Sequence, residues 1–348
     1  MPSRRSPLLP VALLGVAALA LTACAGTDAP AEATDDAADG PRTLTVYSGR
    51  DAELVDPLIE MFEDRSGIDV EVRYAGTTEL AAQLLEEGDR TPAQVFLSQD
   101  AGALGAVAEA GMFTTLPDEV TDLVPAEYTS KDDSWVGLTG RARVIAYDSE
   151  KYTADQVPGD VLELTEPEWA GKVGIVPSNA SFQAFVTALR VSEGEEAAQA
   201  WLEGLVANDS PVYARNGELL EAVNAGAVDL GLINHYYWAR SEQDPTTLRA
   251  QLKFGDPGSI SALVNVTGAG ILTGAADSTE AAEFVEFLVS EEAQTYFLEE
   301  TFEYPLVGDL AGPEGVPARD ELGGPDIDLS DLSSLEETVA MITAAGLL

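Results

Sequence analysis

The stretch LTVYSGRDAELVDPLIEMFEDRSGIDVEV, residues 44–72, decides the fold class. Leu44-Thr45-Val46-Tyr47 is apolar and rich in β-branched side chains, as a strand requires, and Ser48-Gly49 ends it. Ala52 to Asp64 then places Leu54, Leu58, Met61 and Phe62 at helical spacing, with Gly67 as the stop. Ile68-Asp69-Val70-Glu71-Val72 alternates with a period of two and reads as a second strand. Working outward, a helix runs through Leu80, Leu84 and Leu85. A third strand follows at Gln94 to Leu97, and Ser98 to Asp100 opens a helix from Ala103 to Ala110. Strand and helix in this rhythm predict an α/β protein with a parallel sheet covered by helices.

The pattern continues with strands at Arg141 to Tyr147, Lys172 to Val176, Val228 to Ile233 and Ser261 to Val266, and a short one at Val212-Tyr213. Helices are predicted at Phe182 to Val191, Glu195 to Ala207, Gly217 to Ala225, Ala281 to Ser290 and Glu292 to Leu298. From Asp326 to Leu348, Leu332, Leu335, Val339 and Ile342 recur at helical spacing, so this tail is expected to pack back as a helix.

The first 24 residues read as an address rather than as fold. Arg4 and Arg5 precede an apolar run, Pro10 to Leu21, of about a dozen residues, whereas a membrane-spanning helix needs about 20. It ends in Leu21-Thr22-Ala23-Cys24, similar to a lipoprotein lipobox with Cys24 as the lipidated residue; a plain secretory signal is the other reading. Ala25 to Arg42 lacks apolar periodicity and reads as a disordered tether. Cys24 is the one cysteine of 348 residues, so no internal disulfide is expected. With 18 basic against 61 acidic residues and a net charge of −43, nucleic acid is excluded as a partner. The scattered acids suit a solvated surface, and they also set up a field that attracts cations.

In α/β sheets, ligands sit beyond the carboxyl ends of the strands. That singles out Ser48 to Asp51, Ser98 to Asp100, Ser178 to Ser181 and Asn234 to Tyr237. Tyr236 and Tyr237 are neighbours, and two neighbours share a site only where a strand has ended and the backbone turns. Phenolate is a hard oxygen ligand, and only a strongly polarising cation holds two phenols ionised at neutral pH. A stacking surface for a sugar, or the closing of a domain boundary, competes evenly with metal ligation on the pair alone. Asp51 offers a third anionic oxygen or a helix N-cap. Ser178-Asn179-Ala180-Ser181 opens a helix after a strand, a natural anion site. Arg141 and Arg143 alternate onto one strand face with guanidinium forks suited to an oxyanion. His235 has no second histidine or thiolate for a zinc site, and no Gly-x-Ser-x-Gly elbow supports a nucleophilic triad, so no enzymatic activity is expected.

Taken in order, Leu44 to Arg50, Glu86 to Phe96, Thr139-Gly140-Arg141-Ala142-Arg143-Val144 and Asn234-His235-Tyr236-Tyr237-Trp238 resemble the ferric-iron-binding receptors of ABC uptake systems. The resemblance implies a type II periplasmic-binding-protein fold of two lobes joined by two crossover strands. Lobe 1 is expected over 43–139 plus 268–312, lobe 2 over 140–267, and a tail with a closing helix over 313–348. It implies Fe3+ as the transported ligand, held by Tyr236 and Tyr237; Asp51 is the expected third metal ligand in place of a histidine, the alternative being a site completed by water and anion. A synergistic anion, carbonate or phosphate, would lie at Arg141, Arg143, Ser178, Asn179, Ala180, Ser181, Asn216 and Asn234. Asp51 stands where many members have a histidine, and Gln99, with Asp100 next, where some have a glutamate, so those two are first-lobe contacts in an altered half-site. The partners implied are an ABC permease and its ATPase, with the receptor a monomer anchored through Cys24 to the outer face of the cell membrane. The runner-up is a receptor of the same fold for a polyamine, thiamine, a sugar or a phosphorylated compound.

Overall fold

A computed structural model describes residues 42–348; the expected signal, the lipobox with Cys24 and nearly all of the tether lie outside the described residues. The first three strands and helices follow the predicted rhythm. They are β1 (Thr43–Ser48), α1 (Ala52–Ser66), β2 (Asp69–Tyr74), α2 (Thr77–Glu87), β3 (Val95–Ser98) and α3 (Ala101–Glu109). Helix α1 buries Leu54, Val55, Leu58, Ile59 and Phe62 on one face. It stops at Gly67, whose φ of 69° places it in the left-handed region that a Cβ disfavours.

A one-turn α4 (Asp118–Thr121) leads to β4 (Val136–Asp148), thirteen residues long and buried throughout. Beyond it come β5 (Val173–Gly174), α5 (Ala180–Glu193), α6 (Glu195–Ala207), α7 (Asn216–Asn224), β6 (Leu230–Asn234) and α8 (His235–Ala239). The chain continues through β7 (Ala250–Phe254), β8 (Val264–Ile271), α9 (Thr279–Leu288), α10 (Glu291–Glu299), β9 (Tyr304–Pro305) and α11 (Leu335–Ala344).

The parallel pairing expected from the first strands holds for β1 to β3, while the sheet as a whole is mixed. Strands β2, β1 and β3 are parallel, and β8 runs antiparallel beside β3. Strand β4 belongs to two strand groups. Its first half, Val136 to Ala142, pairs antiparallel with β8, and Thr139 and Gly140 also face β9. Its second half, Arg143 to Asp148, lies between β6 and β7, both antiparallel, while β5 is parallel to β6. A register shift between Gly137 and Thr139 bends β4 within its first half. Two other expectations shorten: Lys172 to Val176 forms a strand only at Val173-Gly174, and Ser261 is in a 3-10 turn before β8 begins at Val264.

One apolar core runs from β1–β3 through β8 to α5 and α6, and a second fills the space between α7 and the β4–β6–β7 group. The tail packs back as expected. A 3-10 segment, Leu329–Ser333, and α11 bury Leu329, Leu332, Leu335 and Ile342. The Arg190 guanidinium of α5 donates to the Ser334 carbonyl at 2.9 Å and to Thr338 Oγ1 at 2.7 Å, and Gly102 and Gly105 of α3 leave room for the tail's backbone.

Candidate functional site

The carboxyl ends of β1, β2, β3 and β6, with the N-termini of α5 and α7, surround one cleft of about 940 Å³. Gly49 makes its floor possible: a Cβ there would fall 2.0 Å from Thr77 Oγ1, the hydroxyl that donates to the Gly49 carbonyl.

Strand β6 ends at Asn234, and the backbone turns at once into α8, which carries both tyrosines. The two rings stack with centroids 4.3 Å apart and planes 28° from parallel. Tyr237 lines the cleft; Tyr236, only 2% exposed, lies behind it. Tyr236 nevertheless belongs to neither apolar core. Its ring faces the Arg50 guanidinium at 5.7 Å, and Arg240 lies 5.9 Å from the Tyr236 centroid and 5.6 Å from that of Tyr237. Burial, reinforced by Tyr237, pushes the Tyr236 phenol well above its ordinary value, against the opposing pull of Arg50 and Arg141. Only a strongly polarising cation would displace that proton at neutral pH. His235 is no ligand in this arrangement: its Nδ1 accepts from the Ala142 N–H at 3.2 Å, its ring stacks on Tyr304, and burial pulls it down to about 3.

The predicted anion residues gather around one hydroxyl. Asn179 caps α5, its Oδ1 accepting from the Ser181 N–H at 3.1 Å. Ser181 Oγ in turn receives Arg141 Nη1 at 3.0 Å, Asn234 Nδ2 at 3.1 Å and Gln99 Nε2 at 3.0 Å. Arg143 donates to the Leu232 carbonyl at 3.0 Å and to Asn234 Oδ1 at 3.4 Å. Burial pulls Arg143 down to about 10, with the tyrosines partly opposing, so it keeps its charge at neutral pH. Asn216, 1% exposed, lines the cleft with neither carboxamide atom partnered among the described residues. Ser178 and Ala180 form the rim.

Across the first strand group, Asp51 stands at the N-cap position of α1 but makes no side-chain cap bond; it is exposed and lines the cleft. Asp100 is different. It is 1% exposed, caps α3 by accepting from the Ala103 N–H at 3.1 Å, and does not line the cleft. Burial, opposed by Arg141, pushes it up to about 6. Of the two first-lobe contacts expected after β3, Gln99 faces the cleft and Asp100 serves the helix behind it.

Sequence reasoning missed the buried carboxylate beneath the site. Glu303, fully buried, pairs with Arg50 at 3.0 Å and stands 3.7 Å from Arg141 Nε, while Thr139 and Thr301 hydroxyls donate to it at 3.2 and 3.1 Å. Its only signal in the chain is a charged residue set between Phe302 and Tyr304.

Comparison with known proteins gives the chain's family. Residues 90–321 match the family described as bacterial extracellular solute-binding protein. The chain is 33% identical over 319 residues to the Fe(3+)-binding periplasmic protein of Serratia marcescens, covering 90% of this chain and 93% of that one. It is also 33% identical over 313 residues to the major ferric iron-binding protein of Neisseria meningitidis serogroup B, covering 87% and 93%. Iron-bound HitA from Pseudomonas aeruginosa superposes with a TM-score of 0.83 at 34% identity, over 88% of this chain and all of that one.

Proposed function

Because this chain belongs to the bacterial extracellular solute-binding proteins, which are receptors of type II periplasmic-binding fold and not enzymes, we propose that it captures ferric iron in its cleft. Tyr236, Tyr237 and Asp51 supply two phenolates and a carboxylate, three hard anionic oxygens that neutralise a trivalent ion. The ferric-iron names of the relatives at 33% identity support the assignment. Arg141, Arg143, Ser178 to Ser181, Asn216 and Asn234 hold carbonate or phosphate beside the metal. The lobes are 43–139 with 268–312, and 140–267; β4 and β8 are the crossover strands about which they close. The closed receptor, anchored through Cys24, hands iron to an ABC permease.

The observation that carries this reading is the stacked tyrosine pair, with Tyr237 lining a cleft that an uncapped Asp51 also lines and Tyr236 behind it, outside both apolar cores. Ferric loading is expected to produce a visible phenolate-to-iron charge-transfer band, abolished in Tyr236→Phe, with a raised melting temperature in the wild type. A colourless protein whose melting temperature ignores ferric ion overturns the proposal.

A further inference from the structure

The tail grips two helices that belong to different proposed lobes. Its 3-10 segment, Leu329–Ser333, packs on α3, and α11 packs on α5. On α3 the contact is backbone against backbone. A Cβ on Gly102 would fall 3.2 Å from the Leu332 carbonyl oxygen, and one on Gly105 would fall 3.1 Å from Ser333 Cα. Lys131, also within 43–139, bonds the same segment, its N–H donating to Ser330 Oγ at 3.2 Å and its Nζ to Asp331 at 2.7 Å. On α5 the contact is polar and buried. Arg190 Nη1 donates to the Ser334 carbonyl at 2.9 Å and to Thr338 Oγ1 at 2.7 Å. The hydroxyls of Thr187 and Thr338, both 0% exposed, lie 2.7 Å apart. The two halves of the grip meet at Ser334, whose ψ of 51° breaks the helical path.

Helices α3 and α5 both begin at the cleft, after Gln99 and Asn179, while the cleft lining among the described residues takes nothing from the tail. On the cleft side, Thr78 Oγ1 donates to Gln183 Oε1 at 2.8 Å and Gln99 Nε2 to Ser181 Oγ at 3.0 Å, so the two sides touch. The tail's two holds are made in this same arrangement. Rotation about β4 and β8 moves α3 against α5, and close backbone packing on one with buried hydrogen bonds on the other leaves no slack for it.

We infer that the tail is a clasp between the lobes, so that opening the cleft to release its cargo requires the tail to let go of α3 or of α5. This rests on the lobes and the ferric cargo proposed above. Contacts made with the lobes together and lost on opening slow release and leave capture alone.

The test follows the charge-transfer band of the ferric-loaded protein for capture and for loss to a competing chelator, and measures the radius of gyration of the unloaded protein by small-angle scattering. Thr338→Val removes the hydroxyl shared by Arg190 and Thr187, Thr187→Val removes its partner, and Gly105→Ala pushes the segment off α3. Each is expected to speed iron loss by about 3- to 10-fold, the worth of about one hydrogen bond, with the capture rate unchanged. Each unloaded variant is expected to be more extended than the unloaded wild type. Ile68→Val, a trim of a 1% exposed side chain away from the tail, lowers stability without touching the clasp and should keep the wild-type rates and radius. Tail variants that lose iron at the wild-type rate, or scatter as the wild type does, overturn the inference and leave the iron assignment standing, as does an Ile68→Val variant that releases as fast as they do. A wild type that never colours removes the iron assignment, and the scattering comparison then decides the clasp by itself.

Discussion

Glu303→Ala is expected to be among the most damaging single changes in the chain, although Glu303 touches no solvent. Its side chain is 0% exposed and answers Arg50, whose side chain is 3% exposed, through two contacts of 3.0 and 3.1 Å. Arg141 Nε lies 3.7 Å away, and the hydroxyls of Thr139 and Thr301 donate to the same carboxylate. Truncation leaves a buried guanidinium without its counter-charge, a loss of about 3–5 kcal/mol for a buried pair broken from one side. At about 2–4 °C per kcal/mol for a domain of this order of size, the melting temperature should drop by roughly 6–20 °C. Replacing both partners, Arg50→Met with Glu303→Leu, removes the stranded charge along with the pair. That double variant should melt above Glu303→Ala, because most of the single variant's loss is desolvation of Arg50 and not the worth of the bond. Thermal melts followed by circular dichroism decide the matter. A Glu303→Ala melt within about 2 °C of wild type, or a double variant less stable than the single one, refutes the reasoning.

Two further outcomes follow from packing and charge. Asp100 is held up to about 6 against 3.8 for an ordinary aspartate, so between those values the native chain keeps a proton that the unfolded chain releases; its contribution is full below pH 3.8 and lost as pH rises through about 6, and urea melts should show Asp100→Asn gaining roughly 2 kcal/mol on the wild type between pH 4 and pH 7. Leu332, 0% exposed where the tail meets α3, should cost about 2–5 kcal/mol on replacement by alanine, seen as a lowered urea midpoint with an unchanged slope.

The parts of this fold legible in the sequence are those whose cause is local. Helix α6 occupies its predicted span, Glu195 to Ala207, because acids at its start and apolar residues at helical spacing act within the segment itself. The first half of β4 is the opposite case. Val136-Gly137-Leu138-Thr139-Gly140 has two glycines and no alternation, and its extended form comes from pairing with β8 and β9, residues more than a hundred positions away. The sheet's mixed direction has the same origin. In the site, the tyrosine pair was legible because adjacent phenols at a strand end are costly to bury without use. The cap made by Asp100 was not, since an aspartate after a strand and before a helix reads alike whether it caps or binds, and the Ala103 N–H shows only that it caps.

The two sides of the cleft are not held equally, and this difference bears on how a ligand is taken up. Tyr236 and Tyr237 stack on each other on a helix anchored by Trp238, whose indole N–H donates to the Ala250 carbonyl at 2.9 Å, and Arg141, Asn234 and Ser181 fix one another by hydrogen bonds. Because contacts within the protein fix their geometry, little ordering entropy would be lost on binding. Asp51 is exposed and makes no cap bond, and among the described residues Gln99 has only Ser181 to hold its side chain in place. A ligand that met the tyrosine side first would find its contacts ready, and the Asp51 and Gln99 side would order only as the cleft closed. On this reasoning Asp51→Ala should spare initial capture and accelerate release, whereas Tyr237→Phe should abolish capture. Stopped-flow measurement of the charge-transfer band separates the two rates, and an Asp51→Ala variant that slows capture as much as it speeds release would show that the first side is engaged from the start.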